Sequence, residues 1–206
     1  MSNNVYDRIF ARFYDTYMEK PEKVELARRR RRLLRDLKGN ILEIGAGTGA
    51  SFQWYGPAAH VLAVEPSLPM ASRARARING KDIELVEAGI GDPILDERIK
   101  PGSLDAIVCA LVLCTVPDLS GALSRIESWL KPGGKLVLLE HVRSHGKITG
   151  AFQTAINPVW KVFAGGCSLN RPTDLLVKNR KFKVQSEQQF RLTMPFYEAT
   201  LERLSD

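Results

Sequence analysis

The residues with the clearest chemical potential lie in segment 42–50, where an acid precedes glycines at alternate positions. Glu43 is followed by Gly45, Ala46, Gly47 and Gly49. Such glycines let the backbone turn tightly and let a ligand lie against bare main chain. A dinucleotide-binding loop places its third glycine later, and a carboxylate before the loop would repel a pyrophosphate. The pattern therefore favours a ligand with a cationic amine; the alternative is a glycine-rich turn of another α/β protein.

A second acid, Glu65, ends the apolar segment 60–64 and lies 16 residues after the last of these glycines. If that segment is the strand beside the first one, its terminal carboxylate can accept hydrogen bonds from both hydroxyl groups of a ribose. Pro66 then opens a turn that leads into the next helix. The spacing predicts that Glu65 and Pro66 contact a nucleoside, with a surface acid at a strand end as the alternative for Glu65.

A third pair, Glu140 and His141, ends the apolar segment 135–140. His141 could act as a general base near neutral pH, and Glu140 could orient it or hold a cationic substrate. The alternatives are a histidine bonded to the backbone and a structural acid.

The cysteines give a weaker signal. Cys109, Cys114 and Cys167 form no C-x-x-C pair and have no metal-ligand spacing with the three histidines. The sequence therefore predicts no metal site and favours reduced thiols in a cytoplasm. Cys114 could be a nucleophile, but a small buried apolar residue is the preferred interpretation.

Seven apolar segments predict the strands of an α/β fold: 41–44, 60–64, 82–88, 106–113, 135–140, 181–190 and 196–201. Segment 106–113 does not alternate, which suits a central parallel strand, whereas 82–88 alternates at first, as an edge strand would. The last two segments predict a closing hairpin. Helices are predicted over residues 22–37, 68–79 and 119–130, with Gly39 ending the first of them and Ser67 capping the second.

Composition indicates one globular domain, because the 206 residues are 44% hydrophobic and 26% charged. No apolar stretch reaches the roughly 18 residues that would predict a membrane span, and the start has no signal-peptide core. The net charge of +7 owes much to five arginines, Arg28 to Arg32. They favour a solvated helix face with Val24, Ala27, Leu34 and Leu37 on its buried side. The alternatives are a phosphate contact or a peripheral contact with an anionic membrane.

Residues 43–49 resemble the first motif of the class I methyltransferases that use S-adenosylmethionine, and the Leu-Lys-Pro-Gly-Gly turn at 130–134 resembles a later marker of that family. The resemblance implies a Rossmann-like, doubly wound seven-stranded sheet, mostly parallel with an antiparallel last strand. It implies S-adenosyl-L-methionine as cofactor and S-adenosyl-L-homocysteine as product. Gly89 and Ile90 match the positions that contact the adenine.

Further roles follow from this fold. Ligands bind where the central strands end, so Cys109, Ala110 and Leu111 should lie against the methionine half of the cofactor. An N-terminal helix often closes over the site in related proteins. Phe10, Phe13, Tyr14 and Tyr17 recur at helical spacing, which makes Tyr14 a candidate catalytic residue and Tyr17 a candidate cofactor contact. The alternative is a helix that only covers the core.

Four patterns resemble the methyltransferase-like seven group more narrowly: Val112-Leu113-Cys114, Glu140-His141-Val142, Asn157-Pro158-x-Trp160 and Gly166-Cys167-x-Leu169-x-Arg171. Its animal members are thiol S-methyltransferases, and related microbial sequences lie among small-molecule and phospholipid methyltransferases. The resemblance implies N-terminal cap helices (1–38), a cofactor-binding core (39–145), an acceptor-pocket insertion (146–180) and a closing hairpin (181–206). The sequence departs from the animal proteins at the front, where it has no apolar anchor.

The predicted reaction is an in-line displacement on a sulfonium methyl group, for which the enzyme mainly supplies alignment. A thiol ionises near neutrality without a strong base, so the weak base signal favours a small-molecule thiol as acceptor. The alternative is a phospholipid or small-molecule amine N-methyltransferase, and a weaker one is a cofactor-binding protein without turnover. No nucleic-acid partner is expected, since an Asn-Pro-Pro-Tyr motif is absent after the fourth strand. A cytoplasmic location is expected, with membrane contact through Arg28 to Arg32 as the alternative.

Overall fold

Seven strands form one sheet, in the order β3-β2-β1-β4-β5-β7-β6, in the computed structural model, which describes residues 8, 12 and 25–205. The strands are β1 (Gly39–Ile44), β2 (Ala59–Val64), β3 (Ile83–Val86), β4 (Leu104–Ala110), β5 (Leu130–His141), β6 (Phe182–Arg191) and β7 (Pro195–Arg203). The helices in the described part are α1 (Ala27–Leu34), α2 (Leu68–Arg75), α3 (Ile94–Arg98), α4 (Leu119–Trp129), α5 (Lys147–Phe163) and α6 (Thr173–Lys178). The predicted lid residues Tyr14 and Tyr17 lie outside the described residues.

Strands β1 to β5 run parallel to one another, so their carboxyl ends meet at one edge of the sheet. At the centre, Ile44 is in register with Val64 of β2 and with Cys109 of β4. The chain leaves β1 toward β2 and β3 on one side, and β4 and β5 lie on the other. The gap between β1 and β4 is therefore the topological switch point, where ligands bind in open α/β sheets.

The closing hairpin confirms the expected antiparallel last strand. Strand β7 lies between β5 and β6 and is antiparallel to both. Strand β7 pairs with β5 over seven residues, from Lys135 to His141. It therefore supports the strand that carries the candidate residues Glu140 and His141.

The sheet is buried on both faces, which explains why its central strands read as continuous apolar runs. Alternate residues of each strand point to opposite faces. One face packs Leu42, Ile44, Ile107, Leu136 and Leu138 into the larger core cluster. The other packs Ile41, Ala63, Val108 and Val137 beneath α1 and the turn at Phe52–Trp54.

Several predicted boundaries were wrong. Strand β4 ends at Ala110 instead of residue 113, because Leu111 adopts a left-handed backbone conformation with φ of 61°. Gly39 begins β1 rather than ending a helix. Helix α2 ends at Arg75 instead of residue 79, and the Ser67 side chain makes no capping hydrogen bond. In each case a local turn overrides a sequence pattern that continues past it.

The arginine run departs most from its prediction. Arg29 and Arg30 of α1 are buried, so the run is not a uniformly solvated face. Arg29 forms an ion pair with Glu198 of β7 at 2.5 Å and lies over the Phe190 ring, 3.5 Å from its centroid. Arg30 donates a hydrogen bond to the Ser51 hydroxyl at 3.0 Å. Part of the positive charge therefore fastens α1 to the sheet.

Within the described residues, no helix combines the length and the apolar character that crossing a bilayer requires.

Candidate active site

The glycine loop after β1 has the conformation that its composition predicts. Gly45, Gly47 and Gly49 have φ values of 66°, 57° and 79°, a region that favours glycine. A Cβ atom on Gly45 would lie 2.2 Å from the Val112 side chain, so only glycine fits there. A Cβ on Gly47 would meet no described atom within 4 Å. The loop therefore presents open, bare backbone at Gly47, as a bound ligand requires.

Glu65 holds this loop from the end of β2. Its Oε2 accepts a hydrogen bond from the Gly47 N–H at 2.9 Å, and its Oε1 accepts one from the Ser67 N–H at 2.8 Å. Burial raises the pKa of Glu65, although both backbone N–H groups oppose that shift. The carboxylate therefore has a fixed orientation beside the open backbone of Gly47.

Glu43 lies deeper, within β1. Its Oε2 accepts a hydrogen bond from the Tyr55 hydroxyl at 2.9 Å. Burial raises the pKa of Glu43, and hydrogen bonds from Ser51 and Tyr55 and the charge of Arg30 oppose the rise. The carboxylate is thus engaged beneath the glycine loop, and its contact with a cationic amine stays a prediction.

The loops after β2 and β3 lie side by side. A Cβ atom built on Gly89 would be 3.8 Å from Pro66. Ile90 is buried in the main core cluster, whereas Gly89 is half-buried. The predicted adenine residues therefore lie next to the predicted ribose residues, which is the spacing that one nucleoside would need.

The exit of β4 is held by a buried carboxylate. The Leu111 N–H donates to the Leu139 carbonyl at 2.9 Å, and Glu140 Oε1 accepts hydrogen bonds from the N–H groups of Val112 and Leu113, both at 2.9 Å. Burial raises the pKa of Glu140 to about 7. Its Oε2 has no hydrogen-bond partner among the described residues. Glu140 therefore fixes the strained turn at Leu111.

The residues predicted to contact the methionine half of the cofactor differ in accessibility. Cys109 is fully buried in the core, whereas Ala110 and Leu111 are half-buried at the end of β4. A contact from Cys109 would have to come from its backbone.

His141 contacts a cysteine instead of Glu140. Its Nε2 lies 2.7 Å from the Sγ atom of Cys167, and its ring packs edge-on against Phe196 with centroids 6.5 Å apart. Its Nδ1 is buried and has no partner in the described part of the chain. Burial lowers the pKa of His141, but the hydrogen bond and charge of Cys167 outweigh it, so the pKa is raised. Cys167 is thus the group that orients His141.

Cys167 lies in a site that stabilises its thiolate. The hydrogen bond from Cys114 is the largest cause that lowers the pKa of Cys167, to about 4, with His141 and the Trp160 N–H adding to it against burial. Trp160 Nε1 lies 3.3 Å from Sγ. The same hydrogen bond and burial raise the pKa of Cys114. The sequence predicted no role for Cys167 or Trp160 individually.

Helix α5 supports this arrangement by turning a polar face inward. Gln153 Oε1 accepts from the Ser144 N–H at 2.6 Å, and Asn157 Oδ1 accepts from the Leu169 N–H at 2.8 Å. With Trp160 these residues follow a spacing of four and three, which places them on one helix face. This spacing is the signal in the sequence that could have indicated the positioning role of α5.

Arg171 fastens the insertion to the β4 exit. Its Nη1 donates to the Leu113 carbonyl at 2.5 Å and to the Val116 carbonyl at 2.6 Å. The Ser168 N–H also donates to the Cys114 carbonyl, at 3.0 Å. The segment 146–180 therefore lies against the end of β4, and its role in binding the acceptor stays a prediction.

Comparison with known proteins agrees with this geometry. Residues 42–138 match a family model described as a methyltransferase domain. The thiol S-methyltransferase TMT1B of Rattus norvegicus is 33% identical over 166 residues, which cover 76% of this chain and 67% of the rat protein. The chain belongs to the class I methyltransferases. The human TMT1B thiol S-methyltransferase is 35% identical over 153 residues, covering 72% of this chain and 62% of its own.

The fold of this methyltransferase also resembles a solved structure of geranyl diphosphate methyltransferase in complex with S-adenosylmethionine. The two share 16% identity and a TM-score of 0.67, with 93% of this chain and 91% of that one covered. At this identity the likeness concerns the fold alone. The methyltransferase uses S-adenosylmethionine as its cofactor, and the open backbone at Gly47 beside the Glu65 carboxylate fits a nucleoside.

Proposed function

We propose that this methyltransferase transfers a methyl group to the sulfur of a small-molecule thiol. The observation that carries the proposal is the contact of His141 with Cys167 beside the β4 exit, where the acceptor is expected in this fold. The relatives at 33% and 35% identity are both named thiol S-methyltransferases. A thiol suits such a site because it needs little help to ionise near neutral pH.

In this proposal the glycine loop and the acids around it bind the cofactor. Glu65 accepts the ribose hydroxyls, Pro66, Gly89 and Ile90 contact the adenosine, and bare backbone at Gly45, Ala46, Gly47 and Gly49 lies against the ligand. Glu43 balances the charge of the amine from below the loop. The fixed Glu65 carboxylate and the open Gly47 backbone support this assignment.

The chemistry requires alignment more than acid–base power. S-adenosylmethionine supplies an electrophilic methyl group on a sulfonium. The acceptor sulfur forms a bond to that methyl carbon while the carbon–sulfonium bond breaks, and its electron pair stays on the departing sulfur. The acceptor's proton passes to solvent. Alignment of this kind can be worth about 7–11 kcal/mol, and Glu140 would supply part of it by fixing the β4 exit.

A competition experiment tests the proposal. The enzyme would be given methyl-labelled S-adenosylmethionine together with a small thiol, an amine phospholipid and a phenol. We expect the label in the thioether product. Transfer chiefly to the amine or the phenol would overturn the thiol assignment. Tight binding of S-adenosylhomocysteine without transfer to any acceptor would overturn the proposal that the protein catalyses methyl transfer to these acceptors.

We also propose that the enzyme works in the cytoplasm and without membrane attachment through Arg28 to Arg32. The burial of Arg29 and Arg30 against the protein supports this, as do the unpaired thiols of Cys109, Cys114 and Cys167. Flotation of the full chain with anionic liposomes would contradict it, whereas failure to float agrees with it.

A further inference from the structure

Three buried side chains from separate parts of the chain converge at the acceptor side of the sheet. Cys114 follows β4, His141 ends β5 and Cys167 follows α5. Their thiol sulfurs and ring nitrogen all lie within 4.8 Å of one another. The exposed fractions are 2%, 5% and 8%. We call these three residues the sulfur–histidine cluster.

The chemical types in the sulfur–histidine cluster match one metal closely. Thiolates and imidazole are the ligands that Zn²⁺ binds in proteins, and two cysteines with one histidine occur in catalytic zinc sites that keep an open fourth position. Two thiolates also neutralise the charge of the ion, which removes much of the cost of burying it.

The distances in the cluster suit an ion of this size. With Zn–S near 2.3 Å and Zn–N near 2.0 Å, tetrahedral ligand atoms lie roughly 3.5–3.8 Å apart. His141 Nε2 and Cys167 Sγ are 2.7 Å apart, and no separation in the cluster exceeds 4.8 Å. Shifts of about an ångström or less would therefore seat the ion between the three atoms.

The surroundings of the cluster resemble the support that metal ligands need. The Trp160 N–H points at the Cys167 sulfur from 3.3 Å. Arg171 and Ser168 hold the two cysteine-bearing loops together through backbone carbonyls. The Cys114 sulfur is hydrogen-bonded to Cys167 and has a long contact of 3.9 Å to the Leu111 carbonyl, and His141 Nδ1 has no partner among the described residues. Backbone carbonyls therefore hold the loops of the cluster in place, whereas the His141 ring still has one unsatisfied nitrogen.

We propose that Cys114, His141 and Cys167 bind one Zn²⁺ ion and leave its fourth position to the sulfur of the acceptor. The first half of this proposal is independent of the acceptor, whereas the second half rests on the proposed thiol methylation. Both cysteines bind the ion as thiolates, and any proton that the cluster holds passes to solvent. The acceptor thiol loses its proton likewise, then forms its bond to the methyl carbon as the carbon–sulfonium bond breaks, and leaves the ion as a neutral thioether.

Direct metal analysis of the full chain, purified under reducing conditions, tests the first half. We expect one equivalent of zinc by elemental mass spectrometry, and one equivalent of Co²⁺ with thiolate-to-cobalt absorption after exchange. Cys114→Ser, Cys167→Ser and His141→Ala should each lower the metal affinity at least tenfold. Cys109→Ala and His145→Ala are matched controls that should keep the full equivalent, since neither residue belongs to the sulfur–histidine cluster.

Heat of binding of S-adenosylhomocysteine shows whether each variant is folded. The metal site is overturned if the wild-type chain takes up neither zinc nor cobalt, or if the cluster variants bind metal as the wild type does. It is also overturned if a disulfide between Cys114 and Cys167 persists in the enzyme purified under reducing conditions. Thiol methylation by a zinc-free enzyme would overturn the assignment of the fourth position to the acceptor and leave the proposed function standing.

The fourth position is tested with 2-mercaptoethanol as the thiol probe. Its addition to the cobalt-loaded wild type should change the cobalt absorption bands, and an amine of similar size should not. Unchanged bands would overturn the open position. One equivalent of zinc in an enzyme that methylates no thiol would instead overturn the proposed function while the ligand assignment stands.

Discussion

Glu65 accepts a hydrogen bond from the Gly47 backbone N–H at 2.9 Å, which ties the end of β2 to the loop after β1. Its other oxygen accepts from Ser67, at the start of the next helix. One carboxylate therefore links three segments around the place where a nucleoside is expected. The residue proposed to bind the ribose therefore also holds the glycine loop in its conformation.

Replacing Glu65 by alanine should weaken cofactor binding. The variant loses hydrogen bonds to a charged group, which are worth about 1.5–3 kcal/mol, so the dissociation constant for S-adenosylhomocysteine should rise by about tenfold or more. Calorimetric titration measures it. Glu84→Ala is the matched control, because Glu84 is an exposed acid of β3 paired with Arg98. Unchanged affinity in Glu65→Ala would remove Glu65 from the ribose.

The buried acid Glu43 should make stability depend on pH. Burial raises its pKa in the folded chain above that in the unfolded chain. The folded state therefore holds the proton more tightly, and the stability that this contributes is complete below pH 4.5 and is lost as pH rises through the folded pKa. Glu43→Gln keeps an acceptor for Tyr55 but does not ionise.

Urea denaturation of both proteins between pH 5 and pH 8 measures this effect. The free energy of unfolding of the wild type should fall relative to that of Glu43→Gln as pH rises. Parallel curves would mean that Glu43 ionises in the folded chain as easily as in the unfolded one.

Much of the sheet could be predicted from sequence, because its signals are local. An apolar run that ends in glycines or an acid specifies a strand and its loop within ten residues, as at β1 with Gly45 and at β2 with Glu65. Boundaries were less predictable. The β4 pattern continues to Leu113, but the left-handed turn at Leu111 depends on Glu140, which is 29 residues away and accepts the N–H groups of the next two residues.

The sulfur–histidine cluster could not be predicted from spacing, since its members lie 26 or more residues apart and meet only through the fold. Helix α5 also reverses the usual rule that apolar residues face inward. Its Gln153 and Asn157 are buried, whereas Phe152 and Phe163 are exposed in the described structure. The loops whose backbone N–H groups need acceptors lie on the inner side of that helix. A hydrophobic pattern along the sequence cannot indicate where those loops lie.

Arg29, which is buried on α1, should contribute to the stability of the fold. Arg29→Ala leaves the buried Glu198 paired with Arg32 alone, and loss of a hydrogen bond to a charged group costs about 1.5–3 kcal/mol. Arg31 belongs to the same run and is exposed, so Arg31→Ala should change the free energy of unfolding by less than about 0.5 kcal/mol. Equal effects in urea denaturation would contradict a structural role specific to Arg29.

Arg171 should not be replaceable by lysine. Its Nη1 atom donates to the carbonyls of both Leu113 and Val116, and the shorter lysine side chain cannot bring its ammonium group to the same position. At least one buried carbonyl loses its partner in Arg171→Lys, which should lower the free energy of unfolding by about 1–3 kcal/mol. Arg191→Lys, on the exposed surface of β6, should have no comparable effect. A wild-type midpoint in urea for Arg171→Lys would exclude this anchoring role.

His141 should matter for turnover and little for cofactor binding. Among the described residues the ring nitrogens have one hydrogen-bond partner, Cys167, and no hydrogen bond joins the ring to the glycine loop or to Glu65. His141→Ala should therefore lower kcat by about a hundredfold, the loss that misalignment of the acceptor can cause, while the dissociation constant for S-adenosylhomocysteine changes less than about twofold. His145 is the matched control, because it pairs with Asp174 away from the cluster. If kcat survives in His141→Ala, the ring is structural. If cofactor affinity falls as far as kcat, the substitution has disturbed the sheet edge as a whole, and the contact with Cys167 has no separate role in the reaction.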